Sequence, residues 1–315
     1  MTAPVRPGEE IDRARLSAYL GQPVEIEQFP DGHSNLVYLV RTPEREFVLR
    51  RPPLGPVAPK AHDMAREFRV LSAIHPYFPE APQVFQLCED TSVIGSTFFL
   101  MERRHGFVLR NDPPSRQASE AFIDCLVRLH AVDISIPEIA ALGKPEGFLE
   151  RQVRGWSDRW QRAKTEPYPE MDGVIAWLQN ELPPSGVPSI VHNDFKLDNV
   201  MLSPTMDRVE AVLDWEMTTL GDPLADLGLT LCYWQSGPPG GFTRDEFVLY
   251  YAQKTGRDLR HLPWHEVLGI FKLAVILQQI FYRYHRGQTQ DDRFRHLYSR
   301  VRALVEWAAR NVERA

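Results

Sequence analysis

The segment Ile190-Val191-His192-Asn193-Asp194-Phe195-Lys196-Leu197-Asp198-Asn199-Val200-Met201-Leu202 sets polar side chains between two short apolar runs. A third apolar run ends fifteen residues after Asn199, in Val212-Leu213-Asp214-Trp215-Glu216. β-branched runs of this length read as buried strands. The fold must therefore bury short strands while leaving a carboxamide and two carboxylates at their ends.

The spacing His-x-Asp-x-x-x-x-Asn, followed by a strand-end Asp, matches the catalytic loop of kinases. Phosphoryl transfer to a hydroxyl needs a base beside the acceptor and hard oxygen ligands for a divalent ion. Asp194 is the candidate base. Asn199 and Asp214 are the candidate Mg²⁺ ligands, and Lys196 is placed to reach the transferring phosphoryl group as a point charge. His192 is read as bracing the loop. Each residue taken alone has a plainer reading, since an isolated His-x-Asp is usually a turn; the spaced set carries the inference.

The chain has 315 residues, 43% hydrophobic and 25% charged, as an ordinary globular protein of one bilobal unit or two domains. A net charge of −6 gives no support to binding nucleic acid or an anionic membrane. Three well-separated cysteines, Cys88, Cys125 and Cys232, fit a reducing, cytoplasmic setting and not a disulfide framework. The first ten residues lack an apolar core and do not read as a signal peptide. The apolar stretch 270–284 carries Lys272, Gln278, Gln279 and Arg283, and reads as a buried helix and not a membrane span.

Periodicity divides the chain. A short helix over 11–20 is followed by strand patterns at 24–27, 37–40, 47–49, 84–89 and 96–102, with a helix over 60–74 between the third and fourth. After His105-Gly106 the patterns are mostly helical: 115–130, 149–163, 171–182, 247–254, 264–286 and 292–310. Early strands and late helices predict an α+β architecture, a five-stranded antiparallel sheet plus helix over 1–102 and a mostly helical lobe over 103–315. A ligand is expected in the cleft between lobes.

In the first lobe, Gly32 sits in the turn Asp31-Gly32-His33-Ser34-Asn35, where a positive φ lets backbone N–H groups approach phosphate; Ser34 and Asn35 add side-chain donors. A plain hairpin turn is the alternative. Arg50 ends the third strand and Glu67 lies on the next helix, a cation to clamp phosphates and an acid to hold it. A surface ion pair is the alternative. Backbone groups of Glu102 and Arg104 are placed to pair with a nucleotide base. Asp222, before Pro223, is a helix cap, and Asp226 one turn on is placed to accept hydrogen bonds from the 192–196 backbone.

Together, Gly32-His33-Ser34-Asn35, Val48-Leu49-Arg50-Arg51-Pro52-Pro53, Arg66-Glu67-Phe68, Val191-His192-Asn193-Asp194-Phe195, Asp198-Asn199 and Leu213-Asp214-Trp215-Glu216 resemble the aminoglycoside phosphotransferase family, the choline/ethanolamine-kinase-like branch of the protein-kinase fold. The resemblance runs over about residues 20–310. Arg50-Arg51-Pro52-Pro53, Pro59-Lys60-Ala61-His62, Asp90-Thr91-Ser92-Val93-Ile94-Gly95 and Gly143-Lys144-Pro145-Glu146-Gly147-Phe148 resemble the subgroup found fused to acyl-CoA dehydrogenases. The resemblance implies ATP or GTP as donor, Mg²⁺, Asp194 as base, Asn199 and Asp214 as metal ligands, and Arg50 at the phosphate clamp. The chain departs from the family at two points. Asn193 stands where His-Gly-Asp is usual, and Arg50 where Lys is usual, a swap that is not neutral.

Lys and Arg outnumber Asp and Glu over 263–315. Solvated helix faces explain such an excess. The sharper expectation is an anionic acceptor, a hydroxylated carboxylate or its thioester, met by Gln278, Gln279, Tyr282 and Arg283. The expected partners are thus a nucleoside triphosphate and a small-molecule hydroxyl, without nucleic acid or membrane. The rival reading is a non-catalytic nucleotide-binding or scaffold module of the same fold, which has no need of the Asp194–Asn199–Asp214 set.

Overall fold

The computed structural model describes residues 2–30, 35–55, 62–110, 113–234, 241–289 and 292–314. In chain order the elements begin α1 (Arg13–Leu20), β1 (Glu25–Gln28), β2 (Leu36–Arg41), β3 (Glu46–Arg51), α2 (Met64–Ile74), β4 (Val84–Cys88) and β5 (Phe98–Met101). They continue with α3 (Arg116–His130), α4 (Pro137–Ala140), α5 (Phe148–Ala163), α6 (Pro169–Asn180), β6 (Ser189–Val191), β7 (Val200–Leu202), β8 (Val209–Val212) and β9 (Thr219–Gly221). Four helices close the chain: α7 (Pro223–Tyr233), α8 (Arg244–Thr255), α9 (Leu262–His285) and α10 (Leu297–Val312). Single 3₁₀ turns at Leu197–Asn199 and Trp215–Met217 follow the two candidate carboxylates.

Contacts group the chain into two compact units, 1–109 with 198–218, and 110–197 with 219–315. This grouping runs past the expected boundary at 102/103 and takes the 198–218 segment into the first unit. The reason is hydrogen bonding. Phe107 and Leu202 exchange both backbone bonds at 2.8 Å, and Val212 N–H donates to Glu80 O at 2.8 Å.

The first unit contains an antiparallel five-stranded sheet in the order β1-β2-β3-β5-β4. Register pairs Tyr38 with Leu49 and Val40 with Phe47, so these side chains share one face with Phe98, Leu100 and Leu16 of α1 in a single core. Strand alternation sends the neighbours Arg50 and Arg51 to opposite faces. Arg51 enters the α1 side and donates to Glu9 O at 2.8 Å and to the Tyr38 hydroxyl at 2.9 Å. Arg50 emerges on the α2 side. α2 begins at Met64, four residues later than its pattern suggested, because the Asp63 carboxylate caps it by accepting from Arg66 N–H at 2.9 Å. Its buried stripe holds Met64, Glu67, Val70, Leu71 and Ile74. The turn residues Gly32 and Ser34 lie outside the described residues.

The second unit is helical around α9, which packs on α5, α6, α7 and α10. At 24 residues α9 is longer than the apolar stretch read from sequence; it is long and apolar enough to cross a membrane by length and composition, and half of its most apolar window is buried within the fold. Strands β6 and β9 pair antiparallel. The α7–α9 contact is close because of Gly228: a Cβ there would lie 2.6 Å from the His265 carbonyl carbon and oxygen. Backbone cannot yield cheaply to such an overlap. Gly228→Ala is expected to lower unfolding stability by about 1–3 kcal/mol, read as a reduced urea midpoint at unchanged m-value.

Candidate functional site in each unit

In the first unit, hairpin register gathers the candidate metal ligands. Val200 pairs with Val212, and Leu213 N–H donates to Asn199 O at 2.8 Å. Asn199, just before β7, and Asp214, two residues past β8, therefore lie at one end of the same two-stranded ladder. Asp214 adopts φ +67°, a left-handed conformation that non-glycine residues take sparingly and Asp tolerates. That kink turns the chain into the following 3₁₀ turn.

Arg50 reaches this end from β3. Its Nε lies 2.9 Å from Glu67 Oε2, its Nη2 2.5 Å from Asp214 Oδ1 and 3.9 Å from Glu216 Oε2. The pair with Glu67 is buried, so the alternative of a weak surface ion pair does not describe it. Removing one partner of a buried pair leaves an uncompensated charge. Burial, added to by Asp214 and Glu216, pushes the Glu67 carboxyl up to about 7 despite Arg50. For the guanidinium, burial works against the charge, but the surrounding carboxylates Glu67, Asp214 and Glu216 hold its pKa above the ordinary value.

Two neighbours were not singled out from sequence. Glu216 accepts from Asn35 Nδ2 at 3.0 Å, which directs that side chain to a carboxylate. Arg66 donates to the carbonyls of Glu216 and Thr218. The signal for both lay in adjacency, Arg66 beside Glu67 and Glu216 two residues past Asp214. Near the connector, whose Glu102 and Arg104 backbone groups were offered from sequence to a nucleotide base, the Glu102 N–H donates to Gln83 O at 2.8 Å. The Glu102 carboxylate pairs with Arg104 at 3.0 Å, and Arg104 also donates to Pro79 O at 2.7 Å.

In the second unit, one stripe of α7 supports the loop that carries Asp194. Asp226 accepts from His192 N–H at 2.5 Å and Asn193 N–H at 2.6 Å. One turn later Thr230 Oγ1 donates to Phe195 O at 2.7 Å, and Tyr233 OH donates to Asp194 Oδ1 at 3.1 Å. These three lie at i, i+4 and i+7, a single helix face. Sequence reasoning found Asp226 and missed Thr230 and Tyr233, which the helical period from Asp226 would have flagged. Asp222 caps α7 through Leu224 N–H at 2.9 Å and also accepts from Gly186 N–H at 3.0 Å.

Burial opposes ionisation of Asp226, but the hydrogen bond from His130, with that from the His192 N–H, holds its pKa below the usual carboxylate value. His130 is pushed down by burial and is neutral: Nε2 faces Asp226 Oδ2 at 3.4 Å, and Nδ1 meets the Tyr251 hydroxyl at 2.8 Å. The network assigns the proton to Nε2. His192 is buried, and its Nδ1 accepts from Asp194 N–H at 3.3 Å.

Lys196 Nζ lies 2.9 Å from Asp194 Oδ2 and 5.2 Å from the Tyr233 ring centroid. The Asp194 carboxylate is thus contacted on both oxygens. Gln278, expected to face an acceptor, is instead buried and donates to Ala163 O at 2.8 Å, joining α9 to the end of α5. A carboxamide spent on a helix-end carbonyl is structural. Gln279 and Tyr282 are half-buried and Arg283 is exposed; Arg286 Nε donates to the Tyr282 hydroxyl at 3.2 Å. Among the described residues no group of three or more His, Cys, Asp or Glu is placed to hold a metal ion.

The chain resembles known proteins in sequence and fold. The pattern described as "Phosphotransferase enzyme family" matches residues 25–264, and the chain belongs to that family, a class of small-molecule kinases. It is 34% identical to mouse acyl-CoA dehydrogenase family member 10 over 91% of its own length and 30% of the mouse protein's. The chain therefore spans under a third of that relative. A solved Ralstonia eutropha protein, provisionally called an aminoglycoside phosphotransferase, superposes with TM-score 0.83 at 30% identity, covering 97% of this chain and 99% of the other. A thermostable mutant of aminoglycoside phosphotransferase APH(4)-Ia, in ternary complex with AMP-PNP and hygromycin B, shares the fold at TM-score 0.64 and 16% identity, over 95% and 98% of the two chains.

Asp226→Asn is expected to cost about 1.5–3 kcal/mol at pH 7, the worth of hydrogen bonds to a charged group. The sign with pH follows from the lowered native pKa. The carboxylate's contribution is complete above the unfolded value of about 3.9 and is lost as pH falls through the native pKa. The difference in Tm between wild type and Asp226→Asn should therefore shrink between pH 5 and pH 2; a constant gap would contradict it.

Proposed function

We propose that this chain moves the γ-phosphoryl group of ATP or GTP to the hydroxyl of a small anionic acceptor, a hydroxylated carboxylate or its thioester, with Mg²⁺. The observation that carries the reading is the shared hairpin end of Asn199 and Asp214, with Arg50 brought to it by β3 and fixed by Glu67. A neutral oxygen and a charged one suit Mg²⁺, which takes few protein ligands and completes its shell with water and phosphate. When bound, the ion would neutralise charge on the donor phosphates.

The protein's own groups supply the remainder. Asp194 accepts a hydrogen bond from the acceptor hydroxyl and orients its oxygen toward the γ-phosphorus. A new P–O bond forms to that oxygen, the bond to the β-phosphate oxygen breaks, and the acceptor proton passes to Asp194. Tyr233 and Lys196 hold the carboxylate at a fixed angle while the hydroxyl docks. Lys196, ion-paired with the base at 2.9 Å, is also placed to share its charge with the transferring group. Arg50 offers the phosphates a forked cation, more directional than lysine.

The AMP-PNP bound to aminoglycoside phosphotransferase APH(4)-Ia supports a nucleotide donor. An acyl thioester acceptor is supported by the mouse relative's name, which places a domain like this one in an acyl-CoA dehydrogenase family protein. With Gln278 committed to Ala163 O at the end of α5, the acceptor expectation rests on Gln279, Tyr282, Arg283 and the basic C-terminal helices. A scaffold role gains no support from a chain that keeps Asp194, Asn199 and Asp214 together with their braces.

Asp214→Ala should abolish the Mg²⁺-dependent rise in Tm given by ATP or GTP. Asp194→Asn should keep that rise and lower turnover on hydroxy acids and hydroxyacyl thioesters by about 10²–10⁴-fold, the usual contribution of a positioned base. An Asp214→Ala protein stabilised by Mg·nucleotide as wild type is would count against the metal assignment.

A further inference from the structure

Lys272 is a charged side chain in the interior of the second unit, 1% exposed, in the middle of α9. Its Nζ donates to Asn193 Oδ1 at 3.0 Å and stands 5.7 Å from the Trp156 ring centroid. Burying an ammonium is expensive unless its hydrogen bonds are met. The acceptor here is a neutral carboxamide on the residue before Asp194. Burial lowers the Lys272 pKa to about 8, against the attraction of Asp226 and Asp194 and with the repulsion of Arg159.

Asn193 is itself unusual. It holds φ +65°, where glycine is the easy choice and asparagine the best-tolerated alternative. Glycine, the residue of the resembled His-Gly-Asp pattern, would satisfy that backbone and leave Lys272 without this acceptor. Two locally costly choices, a left-handed non-glycine and a buried lysine 79 residues away in sequence, thus offset each other through one hydrogen bond.

We propose that the Asn193–Lys272 bond is a strut that locks the left-handed turn beneath Asp194, with Lys272 a positioning residue acting through Asn193. The role in catalysis rests on the phosphotransferase reading above; the strut does not. The loop is then held from two helices. α7 grips its backbone through Asp226 and Thr230, and α9 grips the one side chain at its apex. Asp194, directly next in the chain, inherits the orientation.

The test is amide hydrogen exchange over residues 190–197 in the full chain, compared among wild type, Lys272→Met, Asn193→Gly, Asn193→Asp and the double variant Asn193→Gly/Lys272→Met. Loss of a hydrogen bond to a charged group should speed local exchange by about 10- to 100-fold in either single variant. The double variant should be no faster than the worse single one, since both remove the same contact. Asn193→Asp keeps the acceptor and tolerates the positive φ, so it should exchange like wild type; it also preserves the comparison if Lys272→Met fails to fold. Turnover adds a second readout: kcat falls in Lys272→Met and Asn193→Gly while KM for the nucleotide holds, and Asn193→Asp restores it. Unchanged exchange in both singles, or additive acceleration in the double variant, overturns the strut. Altered exchange in a protein that transfers no phosphoryl group keeps the strut and removes only its catalytic role.

Discussion

The Asp226 carboxylate is the point on which the second unit's chemistry depends. It accepts two consecutive backbone N–H groups, His192 and Asn193, in a fully buried setting. Buried donors left unmet cost about 1–3 kcal/mol each, so without this carboxylate the loop would seek water or another path. Everything that the loop presents follows from that anchor. The Asn193 turn, the aim of Asp194 and the burial of Phe195, whose ring centroid lies 4.7 Å from that of Phe122, all fall within three residues of the anchored His192. α7 can serve as anchor because Gly228 lets it approach α9 closely, which also brings Lys272 within reach of the loop apex.

The first unit solves a related problem with opposite charges. Period-two alternation in β3 gives adjacent arginines separate duties, Arg51 to the hydrophobic core's polar seam and Arg50 to three carboxylates. Glu67 sits on the buried stripe of an amphipathic helix, where an apolar side chain would be the default. Arg50 opposite it and the Trp215 N–H account for its presence.

Much of this was legible beforehand, for identifiable reasons. Strand alternation and helix period located all five strands of the sheet and the long helices, and the 192–199 spacing with Asp214 carried the family. Three kinds of feature escaped. Helix starts moved where a cap outranked hydrophobic period, as Asp63 does for α2. Side chains assigned by distance along a helix turned elsewhere: Gln278 has the spacing of a pocket residue but bonds to Ala163 O, because a free helix-end carbonyl was the nearer demand. Partners on other elements, such as Tyr233 for Asp194 and Lys272 for Asn193, are invisible until the fold brings separate segments side by side. The positive φ at Asn193 gives its departure from glycine a physical sense: the turn demands a left-handed residue, and asparagine supplies it.

Two neighbouring residues of α2 bind the 214–218 segment by different means. Arg66 spreads its guanidinium over the carbonyls of Glu216 and Thr218, and Glu67 meets the Trp215 N–H at 3.3 Å. Donor and acceptor from one helical turn thereby clasp both polarities of the same stretch of main chain. Such a clasp transmits displacement: a rotation of the helix drags the carboxylate-bearing bend along with it, so the two behave mechanically as one piece.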